Sequence, residues 1–215
     1  MQFKIVKKLK SKKTTFVLFI MLLVSSVALG QKASDYRAAA ERGDKVAQNN
    51  LGDCYYNGNG VKQDYTQVAY WYRKSAEQEY AKAQYRLGYC YEEGEGVTQD
   101  ETQAVYWYRK AAEQGYAVAQ YVLGSCYYFG SGVEEDYKQV VYWYRKAAKQ
   151  GYAFAQIGLG DFYYDGVEKD GNTSLYWYEK ALNNNDLSDE ETITNVEEKI
   201  KELKKQGYSS SQAKL

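Results

Sequence analysis

Three cysteines are the first residues whose spacing could do chemistry. Cys54, Cys90 and Cys126 stand 36 residues apart. As thiolates they could ligate a metal or form disulfides, but the interval is that of a repeat, not of a ligand set. Equivalent helices in neighbouring repeats lie about 8–10 Å apart, whereas a disulfide needs Cα atoms within roughly 7 Å. The expectation is three buried thiols acting as small apolar fillers, with Phe162 at the fourth equivalent position. The odd count leaves an intermolecular bridge as the alternative.

The other candidates are weaker. Gly-x-Gly-Val at 58–61, 94–97 and 130–133 has the glycines of a phosphate cradle. It lacks the Lys-Ser/Thr of a P-loop and does not follow a strand, so a turn between helices explains it. Ser211-Gln212-Ala213-Lys214 matches the S-x-x-K of serine β-lactamases, yet sits in a polar tail without the companion S-D-N or K-T-G signatures. Glu92-Glu93 and Glu134-Glu135 have no partner placed opposite them and read as solvated surface. Asn172-Thr173-Ser174 is a glycosylation sequon, meaningful only in a eukaryotic secretory pathway. The chain holds no His, which removes the usual general base and the commonest zinc ligand. No catalytic, cofactor-binding or metal-binding residue is assigned.

The elements around these residues begin with an address. Lys4, Lys7, Lys8, Lys10, Lys12 and Lys13 form a basic start, and Phe16–Leu29 is almost wholly apolar. Ala28-Leu29-Gly30 fits a small-residue cleavage site, so residues 1–30 read as a signal peptide and Gln31 as the mature N-terminus. The apolar run, about 14 residues, is shorter than the roughly 20 of a spanning helix; membrane attachment is expected only if the segment stays uncleaved. Without it the formal charge of zero becomes −6, a poor match for nucleic acid. The expected location is periplasmic or secreted.

The mature chain repeats. Tyr-Trp-Tyr recurs around Trp71, Trp107, Trp143 and Trp177, at steps of 36, 36 and 34. Leu51-Gly52, Leu87-Gly88, Leu123-Gly124 and Leu159-Gly160 keep the register, as do Gln48, Gln84, Gln120 and Gln156. The fourth copy contracts its turn to Gly166-Val167. The units are 45–80, 81–116, 117–152 and 153–186. Each reads as two helices. In the second unit the first helix runs from about Ala81 to Tyr91, with Ala83, Leu87 and Tyr91 on one face. Gly94 and Gly96 break it. Asp100 is the expected N-cap of the second helix, with Gln103 as return partner in a capping box. Ala104, Trp107, Tyr108, Ala111 and Ala112 form its packed face, aromatic knobs against alanine holes, and Gly115 ends it.

The ends deviate. Tyr36–Gly43 matches Tyr108–Gly115, so 31–44 is an opening half-repeat. Ser188-Asp189-Glu190-Glu191 reads as a capping box, and Ile193, Val196, Ile200 and Leu203 as the stripe of a capping helix over 187–208. Residues 209–215 read as a disordered tail. The fold class is all-α, an α/α solenoid of about four helix pairs with a cap at both ends.

The pattern A-x-x-x-L-G-x-x-Y, G-x-G-V-x-x-D, W-Y-x-K-A-A-x-x-G resembles the Sel-one-like repeats (SLR), relatives of the tetratricopeptide repeats. The second unit carries it as Ala83, Leu87, Gly88, Tyr91, Gly94, Gly96, Val97, Asp100, Trp107, Tyr108, Lys110, Ala111, Ala112 and Gly115. The resemblance covers about 36–182. It implies a right-handed superhelix acting as an adaptor surface for other proteins, and no shared catalytic motif. Some secreted, cysteine-rich members are described as penicillin-binding or β-lactamase-like; that is the alternative function. Those members pair thiols inside a unit, whereas each unit here has one at most.

Four copies act as an internal alignment. Positions identical in all are needed by the repeat; positions that vary are free to meet solvent or a partner. On the first helix the variable sets are Asn49, Tyr85, Tyr121 and Ile157; Asp53, Tyr89, Ser125 and Asp161; Tyr56, Glu92, Tyr128 and Tyr164. Spacings of four and three place them on one face, which the resemblance turns into a concave groove. The expected site is Asn49, Asp53, Tyr56, Tyr85, Tyr89, Glu92, Tyr121, Ser125 and Tyr128, for an unidentified protein or peptide. The alternative is that these tyrosines pack between units.

Overall fold

The computed structural model describes residues 33–34, 36–166, 168–184 and 187–215. Residues 1–32, including the expected signal peptide and cleavage point, lie outside them, as do Val167 of the contracted turn and Asp186 at the end of the fourth unit. The described residues are helical, with no strand. A first helix, α1, is described at 33–34 and 36–41. Four pairs follow: α2 (Lys45–Asn57) with α3 (Tyr65–Ala76), α4 (Ala81–Glu93) with α5 (Glu101–Glu113), α6 (Ala117–Phe129) with α7 (Tyr137–Lys149), and α8 (Ala153–Tyr164) with α9 (Gly171–Leu182). Then come α10 (Glu190–Lys205) and a 3-10 turn at Ser210–Gln212. From α2 onward each helix packs mainly on its neighbours along the chain, the pattern of stacked repeats.

Local chemistry starts and stops these helices. Asp64, Asp100, Asp136 and Asp170 cap α3, α5, α7 and α9, each accepting the backbone N–H three residues on. The expected return bond from Gln103 is not made. The Asp100 N–H instead donates to Tyr91 O at 2.9 Å, because the turn folds back onto the first helix. Gly94 ends α4 in the left-handed region, at φ 72°. Gly96, at φ 71°, lies where a Cβ would stand 1.9 Å from the Tyr65 carbonyl oxygen. The second turn glycine thus lets one unit sit on the second helix of the unit before it.

Leu51, Leu87, Leu123 and Leu159 are fully buried. The glycine after each is the hole that receives Tyr72, Tyr108, Tyr144 or Tyr178: a Cβ there would lie 2.4–2.6 Å from ring carbons. The sequence placed these aromatics against alanine; the tighter hole is glycine. Cys54, Cys90 and Cys126 are buried and in no disulfide, and burial pushes the Cys90 and Cys126 thiols up to about 12.

Two bond series stitch unit to unit. Arg37, Arg73, Arg109 and Arg145 donate to Tyr55, Tyr91, Tyr127 and Tyr163 of the next unit, at 2.8, 2.8, 2.7 and 3.1 Å. Gln48, Gln84, Gln120 and Gln156 donate to Ala40 O, Ala76 O, Ala112 O and Ala148 O of the previous unit, at 3.0–3.2 Å. Gln78, Gln114 and Gln150 in turn donate to Gln48, Gln84 and Gln120 at 2.7–2.8 Å. In the last unit this place falls to Asn184, one methylene shorter, which donates to Gly151 O. The Gln156 Oε1 is left buried without a partner.

Both ends are closed. Ala33 and Ala40 join the cluster of Ala47, Leu51, Cys54 and Trp71. At the other end Val196 and Leu203 of α10 pack on Leu175 and Tyr178 of α9. Glu179 replaces the stitching arginine there, and its carboxylate meets Lys204 of α10 at 2.8 Å. Asp189, not Ser188, caps α10, accepting the Thr192 N–H at 2.8 Å. Residues 209–215, expected as a disordered tail, fold back onto α9. Ser209 N donates to Asn172 Oδ1 at 2.8 Å and Lys214 N to Thr173 Oγ1 at 2.9 Å. Side chains in the first turn of α9 supply acceptors that a solvated tail would have taken from water.

Candidate partner-binding face

The nine first-helix residues fall into three local groups. Tyr56, Tyr85 and Tyr89 come together between the first two units, where they line a pocket of about 250 Å³ with Tyr72, Arg86 and Cys90. Tyr85 is half-buried, its ring 5.7 Å from that of Tyr108 and 5.6 Å from that of Tyr116, so it packs across the junction and still keeps surface. Burial, then the neighbouring Tyr56 hydroxyl, push the Tyr89 phenol up to about 12. Arg86 was not singled out by the i, i+4, i+7 stripe. Its signal is present in the sequence: the equivalent residues are Asn50, Val122 and Gly158.

A second group is polar and engaged. Asp53 Oδ1 accepts the Tyr72 hydroxyl at 2.6 Å and lies 3.2 Å from Arg86 Nη1, with Lys82 Nζ 3.8 Å from Oδ2. Ser125 meets the Tyr144 hydroxyl at 2.9 Å, and Asp161 accepts the Tyr178 hydroxyl at 2.6 Å. In the second unit this position is Tyr89, so Tyr108 donates instead to Glu92, one turn further on. The residue at this position varies, yet in every unit a first-helix side chain bonds the hydroxyl of the buried tyrosine. Burial comes first among the causes raising the Tyr72, Tyr108, Tyr144 and Tyr178 phenols, so these tyrosines stay neutral. Asn49 is fully buried and offers no surface, a correction to its place in the expected groove.

The third group runs toward the turn of the third unit. Tyr121 stacks on Tyr144 at 5.2 Å and lies 5.5 Å from Tyr152. Tyr128 sits edge-on to Phe129 at 4.9 Å, and Phe129 is 71% exposed where the other units have Asn57, Glu93 and Asp165. The second-helix face is uniform by contrast. Tyr70, Tyr106 and Tyr142 are each about half exposed, with Lys74, Lys110 and Lys146 over their rings. Among the described residues no group of acids and cysteines is placed to hold a metal. The Ser211 hydroxyl of the S-x-x-K match bonds Ser209 at 2.8 Å.

The Sel1 repeat model matches residues 45–80, 81–116, 117–152 and 153–186. A protective antigen of uropathogenic Escherichia coli displaying an SLR fold is 43% identical, with a TM-score of 0.66 over 68% of this chain and 32% of that one. A Sel1 repeat protein from Oxalobacter formigenes is 37% identical, with a TM-score of 0.68 over 73% of this chain and 64% of that one. Cysteine rich protein B of Helicobacter pylori is 25% identical, with a TM-score of 0.50 over 60% of this chain and 93% of that one. The chain thus spans less than two thirds of the length of the first two. No curated protein matches it.

Proposed function

Because the chain belongs to the Sel1 repeat family, we propose that it is an exported, non-enzymatic scaffold that binds a protein or peptide along the concave first-helix face of the array. Proteins built from these repeats are generally protein-interaction scaffolds. The observation that carries the reading is where the copies differ. The second-helix face repeats Tyr, Trp and Lys in every unit, whereas the first-helix face changes from unit to unit and holds half-buried tyrosines. Tyrosine gives large contact area at low entropy cost.

Affinity capture from the exported fraction tests it. The variant Tyr85→Ala with Tyr121→Ala is expected to lose a partner that the wild type retains. Equal capture by both would remove the groove assignment. Export rests on the basic and apolar order of residues 1–30. N-terminal sequencing of the exported protein is expected to begin at Gln31; a chain still starting at Met1 would make it membrane-attached instead.

A further inference from the structure

The pocket between the first two units has one charged group among its lining residues, Arg86. That guanidinium bonds through Nη1, to the Tyr72 hydroxyl at 3.1 Å and to Asp53 Oδ1 at 3.2 Å. The N–H groups of Nη2 and Nε remain, and together they form the edge that a carboxylate meets with two parallel bonds. Asp53 is shared between Arg86 and Lys82, and the nearby Glu92 holds the Tyr108 hydroxyl. The repeat does not require a cation at this place, since the equivalent residues are Asn50, Val122 and Gly158. The remaining walls are Cys90 and tyrosine rings, apolar on their faces. About 250 Å³ is roughly eight waters at about 30 Å³ each, the size of one amino-acid residue and not of a whole peptide.

We propose that this pocket binds a carboxylate carried beside a bulky apolar group, with Arg86 Nη2 and Nε as donors and Tyr56, Tyr85 and Tyr89 packing the apolar part. A terminal residue of a peptide, or an acidic side chain next to an aromatic one, supplies that chemistry. The assignment rests on the concave-face reading and names what that face selects. A cationic ligand, which four tyrosines would otherwise suit, is opposed by the guanidinium.

Calorimetry with three capped peptides tests it: acetyl-glycyl-glycyl-phenylalanine as free acid, the same peptide as amide, and an amide-capped peptide holding phenylalanine followed by glutamate. The full chain is used, and arginine Nε–H resonances are followed in parallel. The free acid, the glutamate peptide or both bind about tenfold or more tightly than the neutral amide, and the Arg86 Nε–H signal moves. Binding of the free acid alone identifies a chain end; binding of the glutamate peptide alone identifies a side chain. Arg86→Met loses the binding, while Lys110→Met, on the second-helix face, keeps it. Circular dichroism checks that both variants fold. Arg86→Lys, which keeps the charge without the fork, gives partial loss and serves if Arg86→Met unfolds. Equal binding of acid and amide, no binding of any probe at millimolar concentration, or wild-type affinity in Arg86→Met overturns the proposal. If that happens while Tyr85→Ala with Tyr121→Ala still abolishes partner capture, only the pocket assignment fails. If the double variant captures normally, the concave-face reading fails whatever the peptides do.

Discussion

Gly88 and Glu79 mark two opposite limits on what one residue can do in this array. At Gly88 a Cβ would stand 2.6 Å from the Tyr108 ring, itself fully buried. Gly88→Ala is therefore expected to destabilise by about 1–3 kcal/mol, the usual cost of overpacking. Glu79 holds the place that Gly43, Gly115 and Gly151 hold elsewhere, and keeps a φ of 60°. A left-handed conformation costs an L-residue roughly 1–2 kcal/mol, so Glu79→Gly is expected to stabilise by about 1 kcal/mol. Denaturant midpoints check both signs; a stabilised Gly88→Ala or a destabilised Glu79→Gly would contradict the packing described. The glycine was visible in sequence as an invariant, but its role was not. That it accommodates a tyrosine from the partner helix depends on how the two helices cross.

Among the elements, α10 shows an end being made from the same parts as the middle. Every inner junction uses an arginine on the second helix and a tyrosine on the next unit. At the last junction Glu179 and Lys204 take over, an ion pair in place of the arginine–tyrosine hydrogen bond. Burial alone would raise the Glu179 carboxyl, but bonds from Lys204 and Ser210 hold it below its ordinary value. Hydrogen bonds from Thr192 hold Asp189, the cap of α10, below its own. A depressed carboxylate contributes stability above its unfolded pKa, about 4 for both residue types, and loses it as pH falls through the folded value. The α10 amides are therefore expected to exchange faster below about pH 4 while those of α4–α7 hold. Uniform loss of protection across the array at that pH would count against it. The stripe Ile193, Val196, Ile200 and Leu203 announced this helix, but not its start. Ser188 and Asp189 are both good caps, and the docking of α10 on α9 selects the second.

At the scale of the molecule, contacts run almost wholly between sequence neighbours. Stability is then close to a sum of units and junctions, and the ends bear unusual weight. Ending the chain at Leu187 would uncover Leu175 and Tyr178, now fully buried. Such a truncation is expected to lose protection first in α8 and α9 and to aggregate more readily, with α4–α7 the last to open. Hydrogen exchange on the truncated chain measures the order. The two surfaces also differ at this scale. One is the same in every unit and belongs to the repeat; the other changes from unit to unit.

The sequence by itself determined the number of units, their register, the start of the second unit's second helix at Asp100 and the placing of three thiols in the core. These follow from local rules repeated along the chain, and four copies make them readable without other sequences. Tertiary structure decided the rest. It removed Asn49 from the surface, bound Asp53 and Glu92 to buried tyrosines, added Arg86 to the first pocket and folded residues 209–215 onto α9. Each of those outcomes depends on which side chain arrives from another helix, and a one-dimensional register shows that a position varies without showing what it faces. The three cysteines, the first candidates for chemistry, were a repeat position from the start. Arg86 was equally visible as a variable one, but it became a candidate only when Tyr56, Tyr72, Tyr85 and Tyr89 closed around it.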